Sequence, residues 1–373
     1  MATARDAAVA ALIALPHMTP SRLHRVFDRW PDPARAVGAL AVGGAAAILD
    51  AEARLDPERR AAITAAWRAV DPARAAGVID RHGTRVLTRL DPDWPIDEAA
   101  PDLPAALLVE GERADALDRP RVAIVGTRAA TPAGLTDARD LARSLAECGI
   151  TVVSGLAIGI DGAAHAGSLD ADGPTVGVVA TGLDVVYPRR HVALTTAVRQ
   201  RGLVVTEHPH GTGPRPERFP VRNRIIAALA DVVVVVEAAE RGGALSTAAA
   251  ALRLGRPVLA QPGSRRNPVA AGTNALLADG AHPLLDPADV ILALGMTAGA
   301  RRGPPTRPAS PTPAPGPLPA DARRVLRALG GEPATADELA ARTGLGAAEV
   351  ARAVRDLVAA GRLARHRGLL WPA

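Results

Sequence analysis

A chain of 373 residues with 48% hydrophobic composition is long enough for one substantial α/β domain with smaller domains at either end. Its formal net charge of +5 favours a polyanionic partner, and all 44 of its Lys and Arg positions are arginine. The missing lysine excludes a Walker A ATPase, whose loop needs that amine on the β and γ phosphates, and it excludes Schiff-base chemistry.

The single cysteine, Cys148, rules out an intrachain disulfide and a Cys-based zinc cluster, and predicts a reducing cytoplasm. The first residues carry Asp6 and lack a convincing cleavage site, and no long uninterrupted apolar run occurs, so no membrane span is expected. Residues 1–75 read as a small helical domain, with apolar residues at helical spacing around Leu12, Ile13 and Leu15 and again at Leu23, Val26 and Phe27. A bridging stretch through Val86 and Leu87 reaches an expected strand at Leu107, Leu108 and Val109. From Arg121, apolar runs of strand length alternate with helix-length segments: Val122 to Val125, Val152-Val153, Val176 to Val179, Leu203 to Val205, Val232 to Val236 and Val258-Leu259. That alternation predicts a parallel sheet with helices on both faces, in a core spanning 76–295. Residues 296–319 are Pro-rich without apolar period and predict an extended linker. Residues 320–373 predict three short helices and a strand-like end, arranged as a winged helix-turn-helix. Such a module takes duplex DNA or a protein partner, and the sequence leaves both open.

Four glycine-bearing loops follow strand ends, where parallel sheets bind ligands. In the first, Gly126 permits backbone approach to a phosphate, the start of the next helix offers free amides, and Arg128 adds a charged fork. It is not G-x-G-x-x-G, so the usual dinucleotide fingerprint is absent. The second loop, from Ser154 and Gly155 to Gly162, places Asp161 to cap the next helix with His165 one turn later. No further ligand cluster accompanies them, so a cap and a structural hydrogen bond are expected and no metal. The third holds Tyr187, the only tyrosine, which either packs at a strand edge or presents Arg189 and Arg190 to a phosphodiester backbone. In the fourth, Gly242, Gly243 and Ser246 open another helix on the same sheet edge.

Residues 215–224, RPERFPVRNR, gather four arginines around Phe219, one of two phenylalanines. Guanidinium groups bind phosphate as bidentate forks and a ring offers a face to an unpaired base, so single-stranded nucleic acid is the first partner to consider. The plainer alternative is a solvated basic loop with one anchoring Phe.

The order of these motifs resembles the DNA processing protein A family (DprA, also called Smf): VAIVGTR over 122–128, SGLAIGID over 154–161, GLDVVYP over 182–188, FPVRNRIIA over 219–227, VVVEA over 234–238, the GALSTA helix start over 243–248, GRPV over 255–258 with Pro262-Gly263, and GTNAL over 272–276. The resemblance implies a Rossmann-like parallel sheet core with a helical N-terminal domain and a C-terminal winged helix. It implies a cofactor-free, non-enzymatic homodimer that binds single-stranded DNA during natural transformation, protects it, and loads the RecA recombinase onto it in the presence of single-strand binding protein. Strand contact falls by resemblance to Arg128, Phe219, Arg222, Asn223 and Arg224, with Gly126, Ser154, Gly155, Ser246 and Arg189 shaping the same groove. His191 stands where the family often has Asn. Two rivals use the same fold: a nucleotide sensor, and a nucleoside monophosphate phosphoribohydrolase. The latter's glycine motif is followed by a catalytic Glu, where this chain has Ala248 to Ala251.

Overall fold

β-Branched residues build the centre of the molecule. In the computed structural model, which describes residues 2–52, 55–97, 100, 102–301, 319–329, 334–359, 362–366 and 369–372, the chain forms two compact units, 1–302 and 303–373. The first begins with six helices: α1 (Ala4–Ala14), α2 (Pro20–Arg29), α3 (Pro33–Ala41), α4 (Ala46–Leu49), α5 (Pro57–Arg68) and α6 (Pro72–His82). Four of these open on a proline directly behind a capping side chain, Thr19, Asp32, Asp56 or Asp71, each of which accepts a first-turn amide. Proline at that position loses no hydrogen bond and presets φ, so the starts of these short helices are fixed locally.

Strands β1 (Arg85–Thr88) and β2 (Ala106–Glu110) follow, and then strand and helix alternate: β3 (Arg121–Val125), α7 (Pro132–Glu147), β4 (Thr151–Ser154), α8 (Ile160–Asp170), β5 (Thr175–Val178), α9 (Val192–Arg201), β6 (Leu203–Thr206), α10 (Arg218–Leu229), β7 (Val232–Val235), α11 (Gly243–Arg253), β8 (Val258–Ala260), α12 (Ala271–Ala278), β9 (His282–Pro283) and α13 (Pro287–Arg301). They form one nine-stranded sheet in the order β1-β2-β6-β5-β4-β3-β7-β8-β9. Pairing is antiparallel for β1 with β2 and β2 with β6, and parallel from β6 to β9. All six strands expected between 122 and 259 are present.

The period of two in each strand divides the core between the faces. Ala123 and Val125 pack with Val233 and Val235 under α10 and α11, while Val122 and Ile124 pack with Val232 and Val234 against α7, α8 and α13. At the far edge, Leu108 and Val204 join the N-terminal helices in a third apolar cluster that holds Leu12, Phe27, Leu40 and Trp67. The helical N-terminal region, which extends to His82, thus shares its core with the sheet. The parallel strands run outward in both directions from the adjacent pair β3 and β7, which makes that pair a topological switch point. Loops at its C-terminal edge diverge and leave a crevice.

In the second unit, α14 (Ala320–Leu329), α15 (Ala336–Thr343) and α16 (Ala347–Ala359) surround Val325, Leu329, Leu339, Val350 and Leu357. A hairpin of β10 (Leu363–His366) and β11 (Leu369–Pro372) closes it, where the sequence indicated a single strand-like stretch. Thr335 and Glu338 form a reciprocal capping box at the start of α15. As for the linker expected over 296–319, α13 continues to Arg301 and residues 302–318 lie outside the described residues.

Candidate functional site

A crevice of about 490 Å³ opens at the switch point, lined among others by Gly126, Arg128, Tyr187, Phe219, Arg222, Asn223 and Arg241. The stretch 215–224 enters it as a turn, which places Pro216 in the lining, followed by helix from residue 218. Helix α10 starts at Arg218, with Pro220 in its first turn where a missing N–H is tolerated. The i, i+3, i+4 spacing then puts Phe219, Arg222 and Asn223 on one face, and all three line the crevice.

At the mouth, the Arg128 guanidinium lies over the Phe219 ring at 5.2 Å, and the Tyr187 ring lies 5.3 Å from Phe219 at a 40° tilt. Arg128 is exposed, Tyr187 is 43% exposed and Phe219 is half-buried, so an outside ligand reaches all three. Helix α11 follows Gly242, an N-cap that offers no side-chain cap, and Gly242, Gly243 and Ala244 line the crevice. Uncapped first-turn amides with the positive end of a helix dipole favour an anion there.

Deeper groups are committed to the protein. Arg222 is 4% exposed; its Nη1 donates to the carbonyls of Gly155 (2.8 Å) and Val178, and its Nε to Asn223 Oδ1 (3.2 Å). Burial pulls its pKa down to about 10, which still leaves it charged at neutral pH, with Asp161 as the nearby countercharge. Burial pushes the Asp161 carboxyl above the usual range, against the pull of Arg222 and of the Gly155 amide it accepts at 3.1 Å. Asn223 Nδ2 donates to Gly243 O (2.9 Å) and Ser246 Oγ (2.8 Å), and Ser246 Oγ donates to Gly243 O (2.7 Å). Asn223 therefore ties α10 to the start of α11.

Several expectations change. Arg222 is a buried anchor beneath the crevice and offers no exposed fork. Arg224 points away from it: Nη2 grips Glu207 at 2.8 and 2.7 Å, both side chains are nearly buried, and it is not among the lining residues. Ser154 is fully buried and donates to Ile124 O at 2.6 Å, joining β4 to β3 and contacting nothing outside. Arg189 is exposed in the turn after Tyr187, beyond the lining. Asp161 does not cap α8, whose N-cap is Gly159; it holds the preceding loop. The start of α7 is not a free anion site, because Thr131 accepts from Gly134 N (3.0 Å) and the Glu237 carboxylate accepts from Thr131 N (2.9 Å) and Thr131 Oγ1 (2.6 Å). His165 is fully buried and bonds Thr175 Oγ1 through Nδ1 at 2.7 Å, with burial pulling its pKa to about 3. It is a neutral structural histidine.

Gly126 and Gly155 are required by close approach. A Cβ on Gly126 would lie 2.4 Å from Ile160 Cγ1, and one on Gly155 would lie 2.5 Å from Asp161 Oδ2 and 2.7 Å from Arg222 Nη2. His191 fixes the same neighbourhood, since its Nδ1 bonds Leu156 O (3.0 Å) and its ring lies where a Cβ on Gly162 would be. Arg241, to which the sequence pattern gave no role, also lines the crevice; its place directly before Gly242-Gly243 is the signal that could have found it. Asp161 is the one acid in the lining. Among the described residues a single group of three metal-competent side chains occurs, His82, Glu110 and His210, outside the crevice. No helix among the described residues is long and apolar enough to cross a membrane.

Residues 85–295 match the family model of DNA recombination-mediator protein A, and 308–368 match the DprA winged helix domain. A Mycobacterium tuberculosis relative assigned as a DNA processing protein DprA is 41% identical over 325 residues, covering 83% of this chain and 82% of its own. The Bacillus subtilis DNA processing protein DprA is 39% identical over 189 residues, covering 51% of this chain and 64% of its own. The crystal structure of Streptococcus pneumoniae DprA superposes with a TM-score of 0.67 at 30% identity, covering 78% of this chain and 98% of that one. Helicobacter pylori DNA processing protein A, whose single-stranded DNA binding mode has been studied structurally, superposes with a TM-score of 0.51 at 30% identity over 57% of this chain and 96% of that one. The chain belongs to the DNA recombination-mediator protein A family, the DprA or Smf proteins.

Proposed function

We propose that the switch-point crevice holds single-stranded DNA and that the protein acts as a recombination mediator on it during natural transformation. The observation that carries this reading is the solvent-accessible set of Arg128, Phe219 and Tyr187, which lines one crevice together with the uncapped start of α11. It offers ring faces for unpaired bases and a guanidinium with helix amides for phosphate, and none of these groups reads sequence. Gly126, Gly155, Arg222, Asn223 and Ser246 hold that surface in place, and Arg189 extends its basic rim. Family membership and the Helicobacter pylori relative support the same ligand. In this reading the homodimer, cytoplasmic and without cofactor or catalytic step, passes its DNA to RecA in the presence of single-strand binding protein.

Fluorescence anisotropy with labelled oligo-dT over a salt series tests the site. Arg128→Ala should lower the log-log salt slope by about 0.7, the amount expected when one phosphate is no longer neutralised. Phe219→Ala should cost about 1–3 kcal/mol of affinity for the base it stacks. If both variants bind with wild-type affinity and slope, the DNA does not lie in this crevice. Release of free base from a nucleoside monophosphate in a parallel assay would instead make the protein a hydrolase.

A further inference from the structure

Away from the crevice, three segments distant in sequence converge: the end of α6, the end of β2, and the 207–217 segment that leads into α10. They bring together His82, Glu110 and His210, whose potential ligand atoms all lie within 4.8 Å of one another. Glu110 Oε1 and His210 Nε2 are 3.3 Å apart. That is about the separation of two ligands around a tetrahedral ion with bonds near 2.0–2.1 Å. The His82 ring stacks on His210 with centroids 4.6 Å apart, and because His82 is exposed it turns without disturbing the core.

The carboxylate is held ready from behind. Thr84 Oγ1 donates to Glu110 Oε1 at 2.9 Å, and Arg199 Nε sits 3.2 Å from Oε2. The arginine thus pairs with Oε2 by charge alone, and Oε1, which accepts from Thr84, faces the histidines. Outer contacts of this kind orient a ligating carboxylate. The exposed His82 leaves the cluster open to an ion from solvent.

We propose that His82, Glu110 and His210 form a binding site for a divalent transition-metal ion of the zinc class. Two imidazoles and one carboxylate are the ligand set such ions take with a fourth position left to water. The bound ion fastens α6, β2 and the 207–217 segment to one another. It therefore stabilises the folded state by mass action and has no part in the crevice itself.

The test uses the full chain and zinc alone. Wild-type protein should take up zinc in competition with a chromophoric chelator and show a higher melting temperature in its presence. His82→Gln removes an exposed ligand without opening the core, and should weaken zinc binding by about tenfold or more and abolish the melting shift. His210→Gln should do the same, while Arg128→Ala should leave both readouts unchanged. Since other histidines also attract zinc, the difference between variants decides. If His82→Gln and His210→Gln bind zinc like wild type, or if zinc leaves the wild-type melting temperature unmoved, the cluster is an ordinary hydrogen-bonded histidine and glutamate stack and the proposal fails.

Discussion

Gly126 shows how one missing methyl sets the site. A Cβ there would meet Ile160 Cγ1 at 2.4 Å and the Glu237 carbonyl oxygen at 2.9 Å, and the second neighbour is backbone that cannot turn aside. Gly126→Ala should cost about 1–3 kcal/mol as overpacking. Urea unfolding that gave the variant wild-type stability would show that the α8 start is looser than this geometry requires. The same scale separates arginines that look equivalent in sequence. Arg222 bonds two carbonyls and an amide oxygen inside the protein and Arg224 is clasped by Glu207, while Arg128, over the Phe219 ring, stays open to a ligand. That distinction was not legible beforehand, because Pro220 masks the start of α10 and hides the i, i+3, i+4 relation of Phe219, Arg222 and Asn223. A guanidinium's burial depends on which face of the helix meets the sheet, and sequence spacing supplies that only once the helix is known.

Among elements, the junction of α10 and α11 matters most for the crevice. Asn223 is 8% exposed, accepts from Arg222 and donates to both Gly243 O and Ser246 Oγ, so it fixes the helix start proposed to receive phosphate. Asn223→Ala leaves the buried Arg222 Nε–H without its partner and removes one of the two side-chain donors to Gly243 O, at about 1–3 kcal/mol. The variant should unfold at lower urea and bind oligo-dT more weakly even though Arg128 and Phe219 are intact. Wild-type affinity in a destabilised Asn223→Ala would mean that the α11 start is not part of the binding surface. The parallel strands were readable from their valine runs, since a strand buried on both faces needs continuous apolar sequence. The ends of helices were less so. Thr131 looked like the entry to a free anion site, yet its amide is taken by Glu237, 106 residues later in the chain.

For the molecule as a whole, one buried and two half-buried histidines set the response to mild acid. His165 in α8 is pulled to about 3 by burial first, then by the charges of His191 and Arg222, and burial also lowers His24 in α2 and His208 after β6. Each takes up a proton more readily in the unfolded chain, near its ordinary value of about 6.5, than in the native one. Their contribution to stability is therefore complete above that value and declines as pH falls below it. For His165 alone the loss between about pH 7.5 and 5 is roughly 2 kcal/mol. Asp161 works the other way: its raised carboxyl pKa gives back some stability as pH falls towards the ordinary carboxylate range. Glu52, Glu110, Asp115 and Asp170 are held low, by arginine hydrogen bonds or, at Glu110, by His210, Thr84 and Arg199 against the cost of burial; their contribution begins to fail only below about pH 4.5. Urea unfolding of wild type and His165→Asn at several pH values between 7.5 and 5 isolates the first effect. The wild-type curve should fall more steeply than that of the variant by close to one proton's worth, about 1.4 kcal/mol per pH unit at the acid end of that range. Parallel curves would mean that His165 is protonated in the native state, which its apolar enclosure against Thr175 and β5 does not allow without an opening of the core.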